Sequence, residues 1–220
     1  MKNAVIIVAG GIGLRMGNPI PKQFMLIRNK PILMHTVEKF IVFDNSINII
    51  IVLPEKQIQM WQKLCAAHDF KYKHAIVAGG ITRFHSVQNA LKTISSDYEI
   101  IAVHDGVRPL VNPETIRKCF ELAMEKGSAI PVIQVNESLR RIQQNTTEII
   151  NREGVCIVQT PQVFRYDIII NSYKQAYATE FTDDASVVEK SGYFINYTNG
   201  QRENIKITFP SDINLIERLI

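Results

Sequence analysis

AVIIVAGGIGLRMGNPIPKQF, residues Ala4–Phe24, is the stretch on which the fold turns. Ala4 to Gly10 is a continuous apolar run closed by glycine, the pattern of a strand buried on both faces. The chain then becomes glycine-rich and, at Arg15 and Lys22, cationic. A dinucleotide fingerprint, G-x-G-x-x-G, is met by Gly11 and Gly13 and then missed, because Met16 holds the third position and Gly17 comes one residue late. That fingerprint also wants an acidic residue about 20 positions on, and Lys22 to Thr36 has neither Asp nor Glu. The pattern G-x-x-x-x-G-K-[ST] fails as well, since Lys22 follows Pro21 and precedes Gln23. The residue pattern that survives is a glycine turn whose backbone N–H groups can approach a phosphate chain, with Arg15 and Lys22 beside it. A nucleoside triphosphate would relieve the crowding of those cations, and two solvated loop residues would need no ligand. The stretch alone leaves both open.

Outward from this loop, strands and helices alternate. Ile47–Pro54, His74–Gly80, Glu99–Asp105 and Ser128–Val135 read as further strands. Lys30–Phe43, Lys56–His68, Thr82–Ile94 and Pro113–Lys126 read as helices, the last stopped by Gly127. This rhythm predicts an α/β fold: a Rossmann-like three-layer sandwich with a mostly parallel, mixed sheet. Ligands of such sheets bind beyond the carboxyl ends of the strands. Those ends are Ala9-Gly10-Gly11, Leu53-Pro54, Gly79-Gly80 and His104-Asp105.

Asn136 to Gln159 breaks the rhythm with two alternating stretches around a polar turn at Gln143–Thr147, which predicts a hairpin. It is either a surface hairpin or a protruding arm that packs on a second subunit. A short helix over Asp183–Lys190 has Thr182 as its expected N-cap. Phe194–Gly200 reads as a late strand, and Pro210 opens a terminal helix over Ser211–Ile220. With 220 residues, a single domain over 1–220 with an arm inserted at about 136–159 is expected.

The net charge of +4 suits anionic substrates, but no Lys/Arg stripe argues for nucleic acid. Cys65, Cys119 and Cys156 are scattered, without C-x-x-C, so neither a zinc site nor a disulfide framework is indicated. The first apolar run is too short for a signal peptide or a membrane span. A cytoplasmic location is expected, with no membrane partner.

The opening motif A-G-G-x-G-x-R-M-G-x(4)-K-Q resembles the signature of the sugar-nucleotide pyrophosphorylase superfamily. HDGVRP (104–109), QTPQVF (159–164), TDDAS (182–186) and ENIKIT (203–208) come after it in order. Together they resemble the 2-C-methyl-D-erythritol 4-phosphate cytidylyltransferase family over nearly the whole chain. The resemblance implies a homodimeric, Mg²⁺-dependent enzyme that joins CTP to a sugar-alcohol phosphate and releases pyrophosphate. It implies Arg15, Lys22, Arg152 and Lys206 as catalytic residues. Nucleotide contacts fall to Ala9, Gly10, Gly11, Gly13, Gly79, Gly80, Ser86 and Asp105. Substrate contacts fall to Asp105, Arg108, Ser138, Arg152, Thr182 and Lys206, with Arg152 reaching a partner's site from the arm. Asp105 is the candidate to help place the metal.

This chain departs from the family pattern at Ile81, where an acidic residue is frequent, and at Glu137-Ser138, where Asp-Thr is common. Arg83 is either structural or near the nucleotide, and the sequence leaves it open. His104 is expected to pack, since phosphate attack needs no general base. Arg140 and Arg141 read as a solvated face. A ribitol-5-phosphate cytidylyltransferase would share these motifs, although the compact length leans toward the erythritol enzyme. A non-catalytic nucleotide-binding regulatory domain is the rival of another class, and the presence of Arg15 and Lys22 speaks against it.

Overall fold

A computed structural model describes residues 2–11 and 20–220. Strand β1 (Asn3–Val8) lies at the centre of the sheet, because it alternates between two apolar faces and has no polar side to expose. It pairs in parallel with β4 (Asn48–Leu53) on one side and with β6 (Ile100–Asp105) on the other. A short antiparallel pair, β2 (Leu26–Ile27) and β3 (Lys30–Pro31), precedes helix α1 (Ile32–Phe43). The expected helix over 30–43 therefore begins two residues late. Pro31 is held extended at φ −53° and ψ 137°, and it serves as the boundary.

Helix α2 (Glu55–Ala67) leads to β5 (Ala75–Ala78), which pairs in parallel with β4, and α3 (Arg83–Leu91) leads to β6. Helix α4 (Pro113–Lys126) has all its boundary signals in the sequence. The Asn112 side chain accepts the Thr115 N–H at 2.7 Å, Pro113 opens the first turn, and Gly127 adopts φ 91°.

Beyond α4 the sheet becomes mixed. Strand β7 (Ser128–Gln134) is followed by the hairpin β8 (Leu139–Gln143) and β9 (Thr146–Ile150). The chain then returns as β10 (Cys156–Val158), antiparallel to β7. The antiparallel excursion is thus shorter than the 136–159 expected, because Val132 to Gln134 offers β10 a free sheet edge to join. Strand β11 (Gln162–Arg165) inserts antiparallel between β6 and β7, and helices α5 (Tyr166–Ser172) and α6 (Asp184–Lys190) come next. Neither β11 nor α5 was expected, because QVFR and YDIIINS are too short to show a period. Strand β12 (Tyr197–Asn199) joins β7 in parallel, and α7 (Pro210–Leu219) closes the chain. The strand order is β10-β7-β11-β6-β1-β4-β5.

The sheet separates two cores. Val5, Ile7, Ile49 and Ile51 face Phe40, Trp61, Cys119 and Phe120 of α1, α2 and α4. Ala4, Ile6, Ile50 and Val52 face Phe84, Val87, Ile169 and Val188 of α3, α5 and α6. Fully burying one such large side chain is worth roughly 1.5–3 kcal/mol, so the two cores fix the strand ends in space. A third, smaller core joins Ile27 and Ile32 to Val107, Leu110, Ile207 and Ile216, and it carries the 205–208 segment up to the carboxyl end of β6. Among the described residues, no helix is long and apolar enough to cross a membrane.

Candidate active site

The carboxyl ends of β1, β4, β5 and β6 open on one edge, and the ladder runs slightly past each strand. Ala9 N–H donates to Val52 O, Gly79 N–H to Leu53 O and Gly106 N–H to Val8 O, all within 2.8–2.9 Å. The glycine loop therefore starts from a rigid base. Gly13 and Arg15 lie outside the described residues. Of the rest of that loop, Ala9 is buried, and Gly10 and Gly11 are exposed.

Lys22 reaches back to Gly11. A Cβ placed on Gly11 would come within 3.3 Å of Lys22 Cε, so glycine there leaves room for the lysine stem. Lys22 Nζ donates to Ile207 O at 3.0 Å. Gln23 is wholly buried next to it and donates to Ala9 O at 2.8 Å and to Gln57 Oε1 at 2.6 Å. Pro21, the residue before this single 3-10 turn (Lys22–Phe24), is extended, so Gln23 turns inward while Lys22 stays half-buried.

At the next turn, Gly79 and Gly80 wrap the start of α3. Gly80 N–H donates to Ser86 Oγ at 3.1 Å, and Ser86 Oγ–H donates to Thr82 O at 2.9 Å. A Cβ on Gly80 would stand 2.4 Å from His85 Cβ and 2.9 Å from the His85 carbonyl carbon, a clash with backbone as well as side chain. Gly79, Gly80 and Ser86 thus form one tight turn, with Ile81 exposed at its rim.

Asp105 is the centre of charge. Its Oδ2 accepts Arg108 Nε–H at 2.9 Å and lies 3.1 Å from Lys206 Nζ. Arg108 Nη1 donates onward to Asn204 O at 2.8 Å. Burial works to raise the Asp105 pKa, but Lys206, Arg83 and Arg108 together outweigh it and hold the carboxyl well below the usual carboxylate range. The Asp105 N–H donates to Thr160 Oγ1 at 3.1 Å. Thr160 Oγ1 also meets His104 Nδ1 at 3.0 Å, while His104 Nε2 faces the Arg108 carbonyl at 3.3 Å. A carbonyl can only accept, so Nε2 carries the proton and Nδ1 accepts from Thr160. His104 is therefore a neutral, buried strut behind Asp105.

Asp105, Arg108 and Lys206 therefore come together, and Lys22 reaches the Ile207 carbonyl of the same 204–207 strap. Lys206 retains 45% side-chain exposure, so its ammonium faces solvent as well as Asp105. Thr182 is exposed and does not cap α6. Asp183 does, accepting Ser186 N–H at 2.9 Å and donating its own N–H to Ser186 Oγ at 3.2 Å. A reciprocal cap needs an acceptor three residues on: Asp183 finds Ser186, whereas Thr182 would find Ala185. Ser138 and Arg152 flank the base of the hairpin and are exposed. Arg152 donates to the Asn136 carbonyl, and no contact among the described residues joins either to Asp105. Arg140 and Arg141 are solvated, on Thr147 and Glu148 respectively.

Four buried side chains that brace the site have no assignment from the sequence: Thr160, Gln162, Gln159 and Asn204. Gln162 donates to Asp183 Oδ2 and accepts Ala185 N–H, both at 2.8 Å. Asn204 Nδ2 donates to Thr160 O at 2.8 Å. Their only signal was membership of QTPQVF and ENIKIT, since a polar residue in a strand reads as solvent-facing until its partner is known.

A cage for a divalent metal does not fit these side chains. No group of His, Cys, Asp or Glu capable of holding an ion is assembled among the described residues. Asp105 already has two cations on one oxygen.

The model of the 2-C-methyl-D-erythritol 4-phosphate cytidylyltransferase family matches residues 3–220. A protein of that name from Bacteroides thetaiotaomicron is 47% identical over 220 residues, covering all of both chains. One from Alkaliphilus oremlandii is 36% identical, over all of this chain and 95% of that one. Among solved structures, the cytidylyltransferase of that name from Francisella tularensis superposes with a TM-score of 0.80 at 29% identity, over the full length of both chains. The Thermus thermophilus one gives 0.81 at 27% identity, over 100% of this chain and 98% of the other.

Proposed function

The chain belongs to the 2-C-methyl-D-erythritol 4-phosphate cytidylyltransferase family, and on that premise we propose which of its residues carry the reaction. It is a CTP-dependent nucleotidyltransferase. It joins CTP and 2-C-methyl-D-erythritol 4-phosphate into 4-diphosphocytidyl-2-C-methyl-D-erythritol, with release of pyrophosphate. The full-length relatives carry the erythritol name, which favours that substrate over ribitol 5-phosphate, and a family of enzymes disfavours a purely regulatory domain.

A phosphate oxygen of the alcohol phosphate attacks the α-phosphorus of CTP, and the bond from that phosphorus to the β-phosphate oxygen breaks. The difficulty is charge: one anion must approach another while a third leaves. Fixed cations lower that barrier because they need no reorganisation during the step. Lys22, across Gly11, and Arg15 hold the triphosphate. Ala9, Gly10, Gly11 and Gly13 line its loop. Gly79, Gly80 and Ser86 take the cytidine, where a turn this tight leaves little room for a purine. Arg108 and Lys206 hold the attacking phosphate, Thr182 contacts the alcohol, and Asp105 fixes both cations while accepting a substrate hydroxyl.

The observation that carries this assignment is the Arg108–Asp105–Lys206 cluster at the end of β6, next to the strap that Lys22 also grips. An isolated anion pocket would not need the carboxylate. A carboxylate between two cations keeps them apart and oriented, leaving their outer faces for phosphate.

Nucleotidyltransferases of this kind typically need a divalent metal, and we assign Mg²⁺, carried on the nucleotide phosphates rather than by Asp105. Bound there, it would neutralise phosphate charge. The whole chain acts as one nucleotidyltransferase domain, at work in the cytoplasm. Ile142 and Ile149, on one face of the β8–β9 hairpin, are more than 70% exposed. We assign that arm to homodimer formation, with Ser138 and Arg152 completing the partner's site.

Pyrophosphate release from CTP and Mg²⁺, measured with each alcohol phosphate in turn, tests the reading. The erythritol phosphate is expected to be the faster substrate. Faster release with ribitol 5-phosphate would overturn the substrate assignment.

A further inference from the structure

Arg83 stands where a cation is least welcome, at the first position of α3, next to the positive end of that helix's dipole. No acidic residue in the same turn offsets it. Its partner comes from the far side of the sequence. Arg83 Nη2 donates to Asp184 Oδ2 at 2.6 Å, and Asp184 is completely buried at the first position of α6. Tyr173 Oη–H donates to the other Asp184 oxygen at 2.6 Å. Asp105 also acts on Arg83 electrostatically, and 28% of the arginine side chain stays open to solvent.

A buried ion pair is not needed to hold two helices together, since an apolar pair of similar shape usually does so at least as well. What an ion pair adds is direction. Arg83 is one residue from Thr82 and three from Ser86, which closes the Gly79–Gly80 turn. Asp184 is two residues from Thr182, in a segment that Gln162 pins at Asp183 and Ala185. The bond therefore runs between the turn assigned to the nucleotide and the segment assigned to the alcohol phosphate. Each segment is tied to the sheet on its own side, through Gly79 to β4 and through Gln162 to β11. The Arg83–Asp184 bond ties one to the other.

We propose that Arg83 is a positioning residue that, through Asp184, sets the distance between the cytidine turn and Thr182, so that the two substrates meet in register. The inference rests on the functional assignment of those two segments given above. Arg83 touches neither reacting atom in this role.

The test is a double variant, Arg83→Met with Asp184→Asn, which leaves no buried charge unpaired and keeps an acceptor for Tyr173. It is expected to melt close to the parent. The KM values for CTP and for the alcohol phosphate should rise together, with kcat/KM falling between about tenfold and ~100-fold, the scale of a small misplacement remote from the chemistry. Arg83→Lys keeps the charge with a different reach, and should show a smaller rise in the same two constants. It also serves if the double variant does not fold. Amide exchange without substrates gives a second readout. Residues 79–86 and 182–186 should exchange faster in the variants, while β1 and β4 stay as protected as in the parent. A folded variant with parental KM values and parental exchange in both segments would overturn the proposal. A parent protein that releases no pyrophosphate would refute the functional assignment instead, and the exchange data would still decide whether Arg83 joins the segments.

Discussion

His104 shows how much a single residue of the site depends on its surroundings. It is wholly buried, with the Phe40 ring edge-on at 5.0 Å, and its two nitrogens are taken by Thr160 and by the Arg108 carbonyl. Burial lowers its pKa from 6.5 to about 3, against the opposing pull of Asp105. Between pH 6.5 and 3 the unfolded chain binds a proton that the folded chain refuses. The contribution of His104 is therefore full above pH 6.5 and is lost as pH falls toward 3. At about 1.36 kcal/mol per pKa unit, the loss amounts to several kcal/mol. Asp105, held below its ordinary range, adds its own loss only below about pH 4. Urea unfolding between pH 7 and pH 4.5 should thus show a shallower pH slope for His104→Gln than for the parent. The slope should flatten but not vanish, because burial lowers the His35 pKa too. An unaltered slope would remove His104 from the account. At this scale the sequence shows the chemistry of Asp105, Arg108 and Lys206 but not their contact. Arg108 lies three residues from Asp105, whereas Lys206 reaches it only through the third core.

The elements were legible wherever a period or a cap was complete. Helix α4 announces itself through Asn112, Pro113 and Gly127. The parallel strands do so through unbroken apolar runs bounded by turns. Strand β11 and helix α5 were not legible, because QVFR is too short to carry a period and YDIIINS has no side-chain cap to mark its start, and both owe their existence to neighbours already in place. The cap of α6 moved from Thr182 to Asp183 for the same reason that caps usually work: two donors are satisfied at once. The turn before α3 carries a prediction of its own. Gly80→Ala would drive a methyl group into the His85 backbone. Overpacking of that kind costs about 1–3 kcal/mol; where that strain opposes the turn's bound geometry, the KM for CTP should rise between about fivefold and ~150-fold. Steady-state kinetics at saturating alcohol phosphate would measure it, and an unaltered KM would remove this turn from the cytidine site.

At the scale of the whole molecule, the question is whether one chain holds a complete site. Lys22 lies with the sheet edge, and Arg152 lies at the base of the hairpin. If Arg152 serves the partner's site, Lys22→Ala and Arg152→Ala proteins should each be impaired alone. Lys22→Ala should be slower by at least ~100-fold, the scale of losing one fixed transition-state donor. Mixed heterodimers should regain one working site of the two. No recovery in verified heterodimers would confine Arg152 to its own subunit. The sequence pointed to the hairpin, whose polar turn and alternation are local signals, but what an arm rests on is not written in the arm. The strap at 204–207 also bears on how the protein is made. Chains leave the ribosome N-terminus first, and the parallel half of the sheet, β1, β4, β5 and β6, is complete once Asp105 has emerged. Lys206, the Asn204 carbonyl and the Ile207 carbonyl come after β12, the last strand of that sheet. A growing chain therefore carries Asp105 and Arg108 long before it has the lysine that completes their cluster. The Asp105–Lys206 pair can close only after every strand of the sheet has been made, so the cluster is assembled on a sheet already in place.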